Sequence, residues 1–236
     1  MRRSRARTLL CTALVVLAGC DSLPGKPNPE ERYVLPAAVM GFDDLYGTNC
    51  SGCHGADGRL GPARALNDPL YLAMVSDQEL TQVVASGVPN TTMPAFAITA
   101  GGTLTDEQIA ALIREMRARW ARPQEIAGVS VPSYAAALGD AQRGAAVFAA
   151  ACASCHGAGG TGGTTRGSIV DGSYLALVSD QSLRSTVIAG RTDLGMPDFR
   201  GSAGATPLTA QQIADVVAWL AAQRKEFPGP PYPGSK

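Results

Sequence analysis

The chain has 236 residues with 20 basic and 20 acidic side chains, a formal net charge of zero. Without a basic excess it carries no electrostatic footprint for nucleic acid. Its six cysteines and two histidines are few enough to account for one by one.

The N-terminus reads as an export signal, residues 1–19. Arg2, Arg3, Arg5 and Arg7 are followed by a mostly apolar stretch over residues 9–18, too short to span a bilayer as a helix. It ends in Leu17-Ala18-Gly19-Cys20, which resembles the lipobox of bacterial lipoproteins. That resemblance implies that Cys20 takes a diacylglycerol and becomes the new N-terminus, with enough acyl chains for stable anchoring. The alternatives are an ordinary cleaved signal with an incidental Cys20, or an uncleaved anchor. Loss of the signal leaves 16 basic and 20 acidic residues, a net charge of −4. Residues 20–37 form a tether with prolines at 24, 27, 29 and 36, semi-extended at ~3.1 Å per residue and so reaching on the order of 50–60 Å.

A first unit spans residues 38–122. A helix runs into Cys50-Ser51-Gly52-Cys53-His54. C-x-x-C-H is the attachment signature of a c-type haem: two thiols add to the vinyl groups, and the histidine that follows ligates the iron. C-x-x-C alone also suits a dithiol redox pair or half a zinc site, but no strand-rich unit surrounds it and a zinc site leaves the histidine unexplained. A short helix starts at the Ser76-Asp77-Gln78-Glu79 box and stops before Gly87. Of the methionines that follow His54, Met74 precedes this helix, Met116 falls on an apolar helix face, and Met93 lies in a loop before Pro94. Thr105-Asp106-Glu107-Gln108 is a capping box, and Ile109, Leu112, Ile113 and Met116 then recur at the spacing of one buried helix face. Residues 123–138 read as a linker, with prolines at 123 and 132.

The second unit, residues 139–226, repeats the first. A helix over residues 143–151 enters Cys152-Ala153-Ser154-Cys155-His156, and a glycine-rich stretch follows. From Asp68 to Phe96, 14 of 29 positions are identical to those 103 residues later, and the pentads stand 102 apart; this is a duplication. Met196-Pro197 matches Met93-Pro94, whereas Met74 is matched by Leu177, which cannot ligate. Thr209-Ala210-Gln211-Gln212 repeats the capping box before Ile213, Val216, Val217 and Leu220. Residues 227–236 form a proline-rich tail.

Helix, C-x-x-C-H, loop, short helix, Met-Pro and final helix resemble class I cytochrome c, and the duplication resembles dihaem cytochromes of the bacterial periplasm. The resemblance implies an all-α chain of two tandem class I cytochrome c domains, each wrapped around one covalent haem c. The ligands would be His54 and Met93 in the first, His156 and Met196 in the second, with thioether bonds to Cys50, Cys53, Cys152 and Cys155. In that family a proline carbonyl after the pentad often accepts the imidazole N–H; Pro62 fits this role, while no proline lies between His156 and Met196. The family also packs a glycine and an aromatic of its first helix on its last. Gly144 and Phe148, with Trp219, fit; in the first unit Phe42, Tyr46 and Glu115 stand at those positions, and Trp120 is placed to compensate. Tyr71, Tyr174, Arg59 and Arg64 are candidates for a haem propionate, or for ordinary core and surface positions.

The implied function is electron transfer in a respiratory or photosynthetic chain, at a membrane on the periplasmic face of the cell envelope, between a quinol-oxidising complex or dehydrogenase and an oxidase or soluble cytochrome. The protein would act as a free carrier or as a subunit of a respiratory complex, with redox proteins and no nucleic acid as partners. The alternative is a haem enzyme such as a dihaem peroxidase, a family that commonly uses extra histidines; a redox sensor would need an output domain. Negative net charge in the first unit, −3 over residues 38–122 against +1 over residues 139–225 by count, favours the lower potential in the first.

Overall fold

The structure is a computed structural model that describes residues 33–164, 166–226 and 228. The signal, Cys20, the tether up to residue 32 and nearly all of the tail lie outside the described residues. Residues up to Ala38 form one unit, whose described part, residues 33–38, holds a short turn at Pro36–Ala38. Everything from Val39 onward forms a second unit that contains both repeats.

Each repeat has the same five helices in the same order. The first has α1 (Phe42–Asn49), α2 (Ser51–His54), α3 (Pro69–Met74), α4 (Asp77–Ser86) and α5 (Asp106–Trp120). The second has α6 (Ala141–Ala151), α7 (Ala153–His156), α8 (Gly172–Ala176), α9 (Asp180–Ala189) and α10 (Ala210–Ala221). Among the described residues there are only isolated bridges and no strand. The expected capping boxes at Ser76, Thr105 and Thr209 all form, the side chain bonding the third helical N–H and the Glu or Gln returning the bond. Two short helices, α3 and α8, were not expected from the sequence. Asp68 and Asp171 cap them, accepting from the N–H groups of Tyr71 and of Ser173 and Tyr174.

An arginine at the end of each repeat ties the last helix to these short ones. Arg117 donates to the carbonyls of Leu72 and Val75 and pairs with Asp77. Arg224 repeats this on Leu175, Val178 and Asp180. Carbonyls at a helix end have no intrahelical partner, so the guanidinium satisfies what helices this short leave open.

The first and last helices of the two repeats cross differently. In the second, a Cβ on Gly144 would stand 2.0 Å from the Asp215 carbonyl oxygen, so only glycine allows this approach of α6 to α10. Phe148 stacks on Trp219 with centroids 4.3 Å apart, as the resemblance implied. In the first, Phe42 fills the crossing. Phe42 and Tyr46 stack on each other, and both meet Trp120 edge-on at 5.5 and 5.2 Å; such edge contacts suit the ring quadrupole. Trp120 thus compensates for the missing aromatic at Glu115.

Asp215 locks the α6–α10 crossing. Its carboxylate accepts from the N–H of Asp140 at 2.7 Å and from both nitrogens of the Arg143 fork at 2.8 and 2.9 Å. Hydrogen bonds from Arg143, then from Asp140, hold the carboxyl below the usual carboxylate range. A depressed folded pKa contributes stability that is present above the unfolded value, about 3.9, and lost as pH falls through the folded one. Asp215→Asn is therefore expected to lower the thermal midpoint at pH 7, with the gap to wild type closing toward pH 2. An equal gap at both pH values would assign the effect to shape rather than charge.

The segment between the repeats is bound down. Ile126, Val129, Val131 and Tyr134 pack on an apolar cluster that runs from the first repeat into Ile188, Ala189, Phe199 and Ile213 of the second. Arg184 donates to the carbonyls of Ser133 and Tyr134, and Gln181 to that of Tyr134. A repeat of roughly 85 residues buries little surface by itself; sharing one core enlarges what each can bury.

Candidate functional site: the two C-x-x-C-H turns

Each pentad occupies one tight turn at the end of an entry helix. The Cys50 N–H bonds the Tyr46 carbonyl, closing α1, and the His54 N–H bonds the Cys50 carbonyl at 3.0 Å. Cys152 and His156 repeat this on Phe148 and Cys152. Residues three apart share a helix face, so the two thiols of each pentad lie on one side, with the histidine beside them. The turn ends at Gly55 (φ +83°) and Gly157 (φ +76°), in backbone conformations that favour glycine. A Cβ on either would fall within 2.0 Å of the Arg59 or Gly162 carbonyl oxygen. The Tyr46 hydroxyl also donates to the Gly55 carbonyl at 2.8 Å, pinning the first turn.

None of the four pentad cysteines forms a disulfide. Burial, then the neighbouring Cys53, pushes the Cys50 thiol up to about 11; burial and Cys155 raise Cys152 in the same way. A dithiol nucleophile needs the opposite shift. No three His, Cys, Asp or Glu side chains gather into a metal-binding group among the described residues. Two thiols on one side of a turn, an adjacent imidazole and a loop thioether form the donor set of a c-type haem.

The imidazoles differ. His54 Nδ1 lies 2.7 Å from the Arg64 carbonyl oxygen. A carbonyl only accepts, so Nδ1 carries the hydrogen and Nε2 keeps its lone pair for a metal. The expected acceptor, Pro62, is displaced from this role. Gly61 lies flat on the pentad, where a Cβ would stand 2.3 Å from the Cys53 carbonyl oxygen. The Ala63 N–H then bonds that same oxygen at 2.9 Å. This leaves Pro62 exposed, and Arg64 is the residue whose carbonyl meets the ring. In the second repeat His156 Nδ1 is buried and has no hydrogen-bond partner among the described residues. Arg166, at the pentad offset from Arg64, has its carbonyl bonded to the Gly163 N–H at 2.9 Å, and the His156 carbonyl is bonded by Gly162. The glycine-rich loop closes on itself instead of on the ring.

Met93 and Met196 occupy equivalent loops. The Met93 carbonyl accepts from Val88 at 3.0 Å, and Met196 exchanges both backbone bonds with Arg191 at 3.0 and 3.1 Å. Gly87 and Gly190, expected only as helix stops, also make room for these loops: a Cβ there would stand 2.7 and 2.6 Å from the Met93 and Met196 carbonyl oxygens. Both methionines are half-buried. Met74 and Met116 are packed in the core. Of the propionate candidates, Arg59 is exposed, and Tyr71 is buried beneath the Arg64 guanidinium, 5.0 Å from its centroid. Tyr174 is partly exposed. Arg64 crosses to the second repeat, donating to Thr186 Oγ1 at 2.5 Å. The Arg191–Asp193 pair, described below, was missed from the sequence, where it reads as ordinary loop charge.

The family described as cytochrome c oxidase, cbb3-type, subunit III matches the chain twice, over residues 37–114 and 139–220. No curated protein matches it. Among solved structures, the reducing HAO-like protein complex of Kuenenia stuttgartiensis is similar at 16% identity, over 82% of this chain and 100% of that one, with a TM-score of 0.44.

Proposed function

The chain belongs to the family of cytochrome c oxidase, cbb3-type, subunit III, and on that premise we propose that it is a membrane-anchored dihaem electron carrier. Its class, a haem c electron-transfer cytochrome, follows from the family. The two-haem reading rests on one observation: the duplicated fold carries a complete donor set twice, Cys50, Cys53, His54 and Met93, then Cys152, Cys155, His156 and Met196. A bound haem c supplies a one-electron couple whose potential a Met/His ligand pair raises. The residues of the chain do the rest. The cysteines would hold the group covalently and the histidines would supply a ligand, while the Arg64 carbonyl orients the first imidazole. Ligation by Met93 and Met196 would leave neither site open for substrate, which supports a carrier and not a peroxidase.

The partners follow from anchoring and ligation. A lipid on Cys20 would hold the domains at the periplasmic face of a membrane, within reach of a quinol-oxidising donor and a terminal oxidase or soluble cytochrome. No described helix is long and apolar enough to cross a membrane; the Leu17-Ala18-Gly19-Cys20 sequence is what supports a lipid anchor. Cys20→Ser should move the haem-loaded protein from the membrane to the soluble fraction. A wild-type protein that is already cleaved and soluble would refute the anchor.

The haem count has its own test. Produced with a haem-attachment system, the chain should carry two covalent haems through denaturing electrophoresis. Changing Cys50 and Cys53 together to alanine should remove one and leave the other. Two haems retained in that variant would sink the assignment.

A further inference from the structure

Where the two repeats meet, the ligand-bearing loop of one is bonded to that of the other. Arg191, whose backbone is doubly bonded to Met196, sends its Nη2 to the Gly61 carbonyl at 2.8 Å. Gly61 is the residue that lies on the Cys53–His54 backbone. Asp193, three residues before Met196, accepts from the Leu60 N–H at 2.8 Å and from Arg191 at 3.0 Å. The pair is buried, with 13% of the Arg191 side chain and 1% of the Asp193 side chain exposed. One layer of hydrogen bonds therefore separates the loop that follows His54 from the loop that carries Met196.

The duplication supplies an internal control. At the repeat positions of Arg191 and Asp193 the first half has Val88 and Asn90. Its methionine loop still closes, through the Val88 N–H on the Met93 carbonyl at 3.0 Å. The loop geometry does not require the ion pair. The charges occur only in the copy whose methionine loop bonds across to the other repeat, and both partners reach across the seam. Thr186 and Ser182, which receive the Arg64 guanidinium from the opposite side, likewise stand where the first repeat has Val83 and Glu79.

We propose that Arg191 and Asp193 are positioning residues that latch the Met196 loop onto the Leu60–Gly61 backbone, so that ligation in the second repeat depends on the first. This rests on the reading of Met196 as a ligand. The latch works through shape: a buried guanidinium bonded to a carbonyl on one side and a carboxylate on the other loses its geometry when either partner is removed, and the carboxylate left behind is unpaired in a buried place. Lysine offers a donor but not the fork, so it replaces the contact only in part.

The experiment uses the full haem-loaded protein in three variants, Arg191→Gln, Arg191→Lys and Arg200→Gln. Arg200 pairs with Asp198 in the same loop and serves as the control. The readouts are the ligand methionine methyl resonances of the reduced protein, carbon monoxide binding, and amide exchange at Leu60. In Arg191→Gln the resonance assigned to Met196 should weaken while that of Met93 stays. Carbon monoxide binding should rise at least tenfold, and Leu60 exchange should speed at least tenfold. Arg191→Lys should fall between, and Arg200→Gln should match wild type. Faster Leu60 exchange with the Met196 signal intact would overturn the proposal, because the seam would open without moving the ligand. So would ligand loss with Leu60 still protected, or equal ligand loss in Arg200→Gln. A wild-type protein with no Met196 signal would instead overturn the ligand assignment itself.

Discussion

Met196→Ala should lower the midpoint potential of the second haem by on the order of 100 mV or more, within the ~0.8 V range that axial ligation spans. A thioether is a soft ligand that favours Fe(II), and alanine leaves nothing in its place. The reduced second site should then bind carbon monoxide, while the first keeps Met93 and its potential. Met116→Leu makes the matched comparison: Met116 is buried in the first repeat's core, and a volume-conserving change there should cost less than about 1.5 kcal/mol with no spectral change. An unchanged spectrum and midpoint in Met196→Ala would remove it from the ligand set.

The first haem should titrate at the lower potential, and the imidazole contacts dominate that order. His54 donates to the Arg64 carbonyl at 2.7 Å, whereas His156 Nδ1 has no partner among the described residues. An accepted N–H makes the ring a more basic ligand and favours Fe(III). If one hydrogen bond of about 1 kcal/mol strengthens on oxidation, the shift is ~40 mV. Net charge acts in the same direction but more weakly. The difference of four charges, −3 over residues 38–122 against +1 over residues 139–225 by count, is worth roughly 50 mV at ~15 Å without salt. About 10 mV survives at physiological ionic strength. A redox titration of the whole protein at low and high salt separates the two contributions. A gap that collapses with salt would credit the charges, and a first haem with the higher potential at both would show that neither contact sets the order.

The parts of this architecture that repeat locally were legible in the sequence. Capping boxes at Thr105 and Thr209 need only a residue and its neighbour three along, and both form as expected. The pentads, the Met-Pro pairs and the last-helix apolar faces are likewise patterns of short range. What escaped depends on contacts between distant residues. Pro62 was favoured by analogy, but the flat approach of Gly61 to Cys53 turns that proline outward and brings Arg64 to the ring. The short helices α3 and α8 are held by arginines some 45 residues later, Arg117 and Arg224, which no local window reveals. Arg191 and Asp193 are unremarkable in a loop until Leu60 and Gly61 arrive beside them.

The segment around Ser133 and Tyr134 has a hydrodynamic consequence. A chain of two haem units on a loose connector would tumble as two bodies, with separate rotational correlation times. Held by Arg184 and Gln181, and closed by Arg64 and Arg191 on the other side, the repeats should reorient as one particle. A protease nick in the connector would then leave a two-fragment complex with the sedimentation coefficient of the intact protein. Two donor sets held in one compact unit would then keep a set distance from each other while either one meets a partner.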